Sequence, residues 1–318
     1  MKGKKETMSN YEKASSPTIY FIGVTTEQSS IMKVFPKWAD FLGLRGSVIK
    51  GIDFQPHSSA DEYREAVEFI KNDPLSLGAL VTTHKIDLYL TCKDLFDYID
   101  PYAEKLGEVS SISKKDGQLC AHAKDPISSG LALENFIPAN YWNDYDGDVL
   151  LLGAGGSTLA MSVYFAQEKF NTNVPKRIII ANRSLPRLES AEAILDGIHP
   201  QIKFEFVHNP TPEENDKTLA SLKPHSLIVN ATGLGKDAPG SPFTDNCEFP
   251  QDSLIWEINY RGHLLFKDQA VKQSAAKNLH VEDGWIYFIH GWTQVISEVF
   301  HIEIKGDLLE SLSKIAKS

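Results

Sequence analysis

The chain has 318 residues, is 42% hydrophobic and 23% charged, and carries a formal net charge of −10. That length exceeds what one core usually supports and predicts two domains. The acidic balance argues against a nucleic-acid partner while leaving room for a local basic pocket that takes a phosphate. Cys92, Cys120 and Cys247 have no CxxC or zinc-type spacing, so a reduced, cytoplasmic protein without a metal site is expected. The start, MKGKKETMSNYEKASSP, lacks the apolar stretch of a signal peptide and reads as a flexible tail over 1–16. No apolar run approaches the ~18 residues of a membrane span, so no membrane partner is expected.

Strand and helix patterns alternate along the first third. TIYFIGV (18–24) is rich in β-branched and aromatic residues and predicts a strand. Over 29–44 the residues Met32, Phe35, Trp38, Ala39 and Leu42 recur at helical spacing. SVIKGIDF (47–54) predicts a strand, and 59–72 a helix with Ser59 as its N-cap and acids in its first turn. GALVT (78–82) is the next strand, and IDLYLTCKDL after it is helical. Such alternation predicts a mostly parallel sheet with crossover helices. Two short alternating runs around Lys-Lys-Asp-Gly in 107–125 predict a hairpin, and 125–137 a helix whose first turn tolerates Pro126.

A second block opens at 146–157, with a strand, a glycine-rich turn and a helix. Further strands are predicted over 176–184, 202–207, 226–233 and 253–260, and helices over 283–300 and 306–316 close the chain. In LLLGAGGSTLA (150–160), Gly153, Gly155 and Gly156 follow a strand and open a helix. Such a turn lets backbone N–H groups approach a pyrophosphate at the positive end of the helix. The third position of GxGxxG is Thr158, so the fingerprint is imperfect. The next strand ends in Ala181-Asn182-Arg183-Ser184, with Arg187 beyond it. A carboxylate there would bond the ribose of NAD; arginine instead suits a 2′-phosphate, which favours NADP.

Lys85 stands at the lip of a strand, where the plain alternative is a solvated charge in a surface turn. The ordered set of motifs moves that reading. GALVTTHK, IDPYAEKLGEVSSI, AHAKDPISSG, GAGGS, ANRSLPR, IVNATGLG, EINY and DGWIYF occur in one order over residues 18–302. In that order they resemble the shikimate dehydrogenases and their quinate/shikimate dehydrogenase-like relatives. The resemblance implies an α/β, two-domain fold. A substrate domain (17–127) is followed by a Rossmann-type NADP-binding domain (128–285), and C-terminal helices (286–318) return to the first. It also implies an NADP-dependent oxidoreductase of aromatic amino acid biosynthesis. The reaction would interconvert the ring hydroxyl and ketone of a small-molecule cyclic hydroxy acid, shikimate or a relative. Lys85 and Asp125 fall on the catalytic pair, with Lys85 relaying the alcohol proton. Burial would lower the lysine and a neighbouring carboxylate would raise it. Gly153, Ala154, Gly155, Gly156, Ser157, Asn182, Arg183, Ser184, Arg187, Ala231 and Thr232 fall on the cofactor site.

The substrate positions depart from the family. Ser29 is kept, but Ile31 stands at the second serine of its Ser-x-Ser pair, with Ser30 adjacent. Ser110 replaces an asparagine, Ala123-Lys124 precedes Asp125, and Glu257 replaces an aspartate three residues before Tyr260. The glutamine of the returning helix is carried to Gln294. His84 and His290 could touch substrate, or be packed or exposed bystanders. The turn before Lys85 is one residue shorter than the family's and has no proline. These changes suggest the same chemistry on an altered substrate; the alternative is a non-catalytic ligand sensor on the same fold. A homodimer is compatible with the sequence but not dictated by it.

Overall fold

The computed structural model describes residues 11–56, 58–236 and 238–317. The chain divides into two compact units, one ending at Lys124 and resuming at Trp292, the other continuous from Asp125 to Gly291. These divisions fall a few residues from the expected 127/128 and 285/286. Residues 1–10 of the expected tail lie outside the described residues. Just after them, the Tyr11 ring stacks on Phe69 at 5.1 Å and Ala14 is buried.

In the first unit the elements run β1 (Thr18–Gly23), α1 (Ile31–Phe41), β2 (Val48–Asp53), α2 (Ala60–Asn72), β3 (Ser76–Val81), α3 (Lys85–Cys92), β4 (Tyr98–Ile99), α4 (Pro101–Leu106), β5 (Ser111–Lys115) and β6 (Gln118–His122). The sheet order is β2-β1-β3-β5-β6-β4. β1 is buried along its whole length because parallel β2 and β3 flank it, which is why TIYFIG has no polar alternation. The β5–β6 hairpin turns on Asp116 and Gly117, both at positive φ (52° and 79°), the geometry that a two-residue turn needs. α2 opens on a capping box between Ser59 and Glu62. Its apolar face, with Tyr63, Val67 and Ile70, packs into the core with Ile22, Val81, Leu88 and Ile112.

The second unit contains α5 (Asp125–Glu134), α6 (Tyr141–Asp144), β7 (Val149–Leu152), α7 (Gly156–Phe165), β8 (Arg177–Asn182), α8 (Leu185–Leu195), β9 (Lys203–His208), α9 (Pro212–Ala220), β10 (Leu227–Asn230), β11 (Leu254–Glu257), α10 (Leu265–Lys277) and β12 (His280–Glu282). Two helices close the chain: α11 (Trp285–Phe300), in which the second division falls, and α12 (Gly306–Lys317). The sheet is parallel throughout in the order β12-β11-β10-β7-β8-β9. That is the doubly wound dinucleotide-binding order, in which ligands sit beyond the carboxyl ends of the strands where the order reverses. Here the reversal lies between β7 and β10. The VLLL run of β7 is fully buried, as a central parallel strand requires.

At the opposite ends of β7 and β8, buried Asp148 takes both arms of Arg177 at 2.9 and 2.8 Å. No helix among the described residues is long and apolar enough to cross a membrane. α5 crosses α7 closely because Gly130 has no side chain: a Cβ there would lie 2.2 Å from the Tyr164 ring. Gly130→Ala should therefore destabilise the second unit by about 1–3 kcal/mol, as overpacking does. The thermal midpoint reads this, and an unchanged midpoint would mean that the helix shifts at no cost.

Candidate active site

Lys85 is the first residue of α3, directly beyond β3. The turn that delivers it is Thr82-Thr83-His84. Thr83 is left-handed at φ 47°, which compresses the turn into fewer residues. His84 is 1% exposed, with its Nδ1 2.9 Å from the Tyr63 hydroxyl and its Nε2 3.1 Å from the Gly23 carbonyl. A carbonyl only accepts, so Nε2 donates to Gly23 and Nδ1 is left to pair with the Tyr63 hydroxyl. Phe54 meets the same ring edge-on at 5.7 Å. His84 is thus a packed anchor rather than a substrate contact. It ties the start of α3 to the carboxyl end of β1 and to α2. Lys85 itself is half-buried, and its carbonyl accepts from the Val109 N–H at 3.1 Å.

Ser110 is buried beside this turn, and its carbonyl accepts from the Val81 N–H at 2.9 Å. Its hydroxyl accepts from the Lys124 N–H at 2.7 Å, which fixes the residue immediately before Asp125. The Lys124 ammonium lies 2.5 Å from Glu298. The cation foreseen beside Asp125 is therefore paired within the first unit. Burial works to raise the Glu298 carboxyl, but the Lys124 bond and the charges of His122 and Lys124 outweigh it and hold it below its ordinary value. His122 bridges Glu298 and Asp100 at 3.4 Å to each and meets Ser113 at 3.0 Å. Glu298 and His122 did not stand out in the sequence, because the strand and helix that pair them are far apart in the chain.

Ser29 is buried and closes a short 3-10 turn after β1, its N–H donating to Thr26 at 2.9 Å. Ile31 has no exposure and belongs to the core, so it offers nothing polar at the second serine position; Ser30 is half-buried as the N-cap of α1. Gln294 lies half-buried on the stretch of α11 that belongs to the first unit. Lys85, Ser29, Ser110 and Gln294 thus fall in the first unit, and Asp125, Tyr260 and His290 in the second. Asp125 opens α5, and its carbonyl accepts from the Ser129 hydroxyl at 2.7 Å. Tyr260 packs on Phe288 at 4.5 Å, and His290 is buried, which pushes its imidazole below the ordinary range.

The nucleotide-type residues collect at the carboxyl edge of the second sheet. Gly153 leaves β7 at φ 108°, and a Cβ on it would lie 2.7 Å from the Ala231 carbonyl. The turns after β7 and β10 therefore touch across the reversal point. Gly155 has nothing within 4 Å of a Cβ position, and Gly156 and Ser157 open the ten-residue α7. This leaves open space against helix N–H groups that have no partner of their own within the helix. Thr158, at the third glycine position, is fully buried and donates its hydroxyl to the Gly153 carbonyl at 2.8 Å. The threonine thereby closes the turn that a glycine would merely permit. Asn182 and Ser184 end β8 and begin α8; Arg183 and Arg187 are exposed and form no ion pair among the described residues. Ala231 and Thr232 follow β10 and are held by Asn230, whose Oδ1 accepts from the Thr232 N–H at 3.1 Å and its hydroxyl at 2.7 Å.

No protein-family model matches the chain. It is 27% identical over 168 residues to the NADP(+) shikimate dehydrogenase of Streptococcus thermophilus, covering 52% of this chain and 53% of that protein. With the same enzyme of Nitrosopumilus maritimus it shares 26% over 236 residues, 71% of this chain and 73% of the relative. The chain is related to the shikimate dehydrogenases. The match to the Streptococcus protein spans little more than half of that relative's length. Among solved structures, a shikimate dehydrogenase in complex with NADP+ superposes with a TM-score of 0.70 at 21% identity, covering 99% of this chain and 98% of that one. The ligand-free 5-ketofructose reductase of a Gluconobacter strain superposes at 0.69 with 16% identity, covering 95% and 98%. These likenesses establish the two-unit α/β fold. Among the described residues, no cluster of three or more His, Cys, Asp or Glu is placed to hold a metal ion.

His84→Ala would leave a cavity and take from the Tyr63 hydroxyl its buried partner, while the Gly23 carbonyl keeps the Phe54 N–H at 2.8 Å. A cost of about 1–3 kcal/mol is expected for an unsatisfied buried partner. Tyr63→Phe, which leaves His84 bonded to Gly23, should cost less; equal losses in denaturation would contradict the anchoring role.

Proposed function

We propose that this chain is an NADP-dependent dehydrogenase that moves a hydride between the nicotinamide and a ring hydroxyl or ketone of a cyclic hydroxy acid. The observation that carries the reading is the carboxyl edge of the second sheet. There an open glycine turn at a helix N-terminus stands beside a strand end followed by two guanidiniums that have no ion pair among the described residues, with no carboxylate at 181–184. The residues present fit a dinucleotide. Gly155, Gly156 and Ser157 would take the pyrophosphate, with Ala154 lining the turn. Arg183 and Arg187, with Asn182 and Ser184, would take the 2′-phosphate, and Ala231 and Thr232 would face the nicotinamide half. The bound nucleotide supplies the hydride acceptor.

In this reading Lys85 does the proton chemistry. As the alcohol carbon loses its hydride, the hydroxyl proton passes to the Lys85 amine, and in the reverse direction Lys85 returns it to the ketone oxygen. Asp125 would orient that ammonium and bond the substrate hydroxyl. Ser29, Ser110, Tyr260 and Gln294 would contact the remaining substituents. Ser110 already accepts from Lys124 but retains its own proton to donate. With an isoleucine buried where a second carboxylate-binding serine is expected, recognition of shikimate itself should be weak. Hydroxy acids with altered substituents are the better candidates.

Turnover of shikimate, quinate, amino-substituted analogues and 5-ketofructose with NADP(H) and NAD(H) tests the reading. Lys85→Ala should lose about 10²–10⁴-fold in turnover, the usual contribution of a positioned acid–base, with NADP affinity retained. No turnover by the unaltered protein, together with ligand binding that survives Lys85→Ala unchanged, would favour a non-catalytic sensor. Arg183→Ala should raise KM for NADP by about tenfold or more, the worth of a charge-assisted bond, and leave KM for NAD nearly unchanged. Equal effects on both nucleotides would remove the 2′-phosphate role.

A further inference from the structure

Glu257 ends β11 with no exposure to solvent, and three donors surround its carboxylate. The Asn259 N–H and side-chain amide reach Oε1 at 2.9 and 2.6 Å, and the Asn230 amide reaches Oε2 at 2.6 Å. The orientation of Asn230 follows from its other contacts. Its Oδ1 accepts from Thr232 twice, so its NH₂ must be the end that faces Glu257. Thr232 in turn accepts the Leu234 N–H at 3.1 Å on its hydroxyl. One buried carboxylate therefore stands at the base of a chain of hydrogen bonds that shapes the turn after β10.

All three donors meet a charged acceptor only while Glu257 is a carboxylate. A proton on Oε1 would compete with the two Asn259 donors, and one on Oε2 would make that oxygen a weaker acceptor for Asn230. Turning Asn230 over to accept that proton would aim its NH₂ at the Thr232 N–H. The local charges do not lock the carboxyl in one state. β10 contributes only Asn230, and His280 and Glu282 on β12 are paired with each other at 2.9 Å. Lys267 on α10, which lowers the carboxyl, is itself bonded to Asp283 at 2.8 Å. Burial, the largest influence, carries Glu257 up to about 7 against all of its hydrogen bonds.

We propose that Glu257 is a positioning residue for the nucleotide site: as a carboxylate it orders the 231–234 turn through Asn230, and on taking a proton it releases that turn. This rests on the dinucleotide reading above. Protonation occurs as pH falls through about 7, so the ordered turn, and tight nucleotide binding with it, belongs to the alkaline side. Glu257→Gln removes the charge without titrating, and its amide nitrogen, which cannot accept, must stand opposite Asn230 or Asn259.

Calorimetric affinity for NADP and for NAD between pH 6 and 8.5 tests this. NAD is included because it lacks the 2′-phosphate, which titrates near pH ~6 on its own account. The unaltered protein should bind NAD several-fold more weakly at pH 6 than at pH 8, and Glu257→Gln should bind weakly and without that dependence. In the unaltered protein without nucleotide, the backbone amide signals of Thr232 and Leu234 should titrate together near pH 7. Amide signals that stay flat across that range would overturn the inference, whatever the variant does. If neither nucleotide binds at any pH while the amides titrate, the dinucleotide reading fails and the proton-linked turn stands.

Discussion

The burial of one imidazole sets the geometry of the first unit's edge. The turn Thr82-Thr83-His84 joins β3 to α3 with Thr83 in a left-handed conformation. Such a residue costs about 1–3 kcal/mol unless its surroundings impose it. His84 supplies the surroundings, because its two nitrogens are satisfied only when the ring lies between β1 and α2. Lys85 then starts α3, its backbone placed by the residue before it. The lysine is a surface residue type held by core contacts, and moving the ring would move the charge.

The same device recurs at the other functional positions. Lys124 is fixed through its backbone by Ser110 and through its ammonium by Glu298. The Gly153 turn is closed by the hydroxyl of Thr158, and the Thr232 turn by Asn230. In each case a loop that carries reactive or binding groups is tied to regular structure by one short polar side chain. In the turns after β7 and β10, Gly153 and Gly233 at positive φ give the shape, and the neighbouring hydroxyl and amide take away the freedom that the glycines bring.

Much of this was legible in the sequence, for reasons that can be named. Continuous apolar runs such as VLLL and TIYFIG mark strands buried on both faces, and the Ser59–Glu62 spacing marks a helix start. Gly153, Gly155 and Gly156 announce a turn, and at Gly153 the positive φ and the nearby Ala231 carbonyl leave no room for a side chain. Shorter or more polar elements were not legible. β12 has three residues, β4 has two, and α10 presents no continuous apolar face, so none leaves a periodic trace. In the sequence His84 reads as a bystander that could also touch substrate, because burial is a property of the three elements around it and not of its own segment. Thr158 looked like a defect in a glycine fingerprint, and only its bond to the Gly153 carbonyl shows the defect to be a closure. Glu257 was visible as a departure from pattern, but its role depends on Asn230, which the strand pattern does not distinguish from any other strand-end residue.

The first unit is discontinuous in sequence, and this bears on how the molecule is made. Trp38 on α1 donates its indole N–H to the Leu312 carbonyl at 2.8 Å, Phe21 on β1 meets Trp292 at 5.0 Å, and Phe35 stacks with Phe300 at 6.2 Å. During synthesis, the amino-terminal sheet emerges long before those partners exist. The stretch 125–291, by contrast, carries every strand of its own sheet and can fold as soon as it leaves the ribosome. The usual order of vectorial folding is thereby inverted. The unit that begins first is the one that finishes last, and until then the apolar sides of β1 and α1 are surfaces for a chaperone to shield.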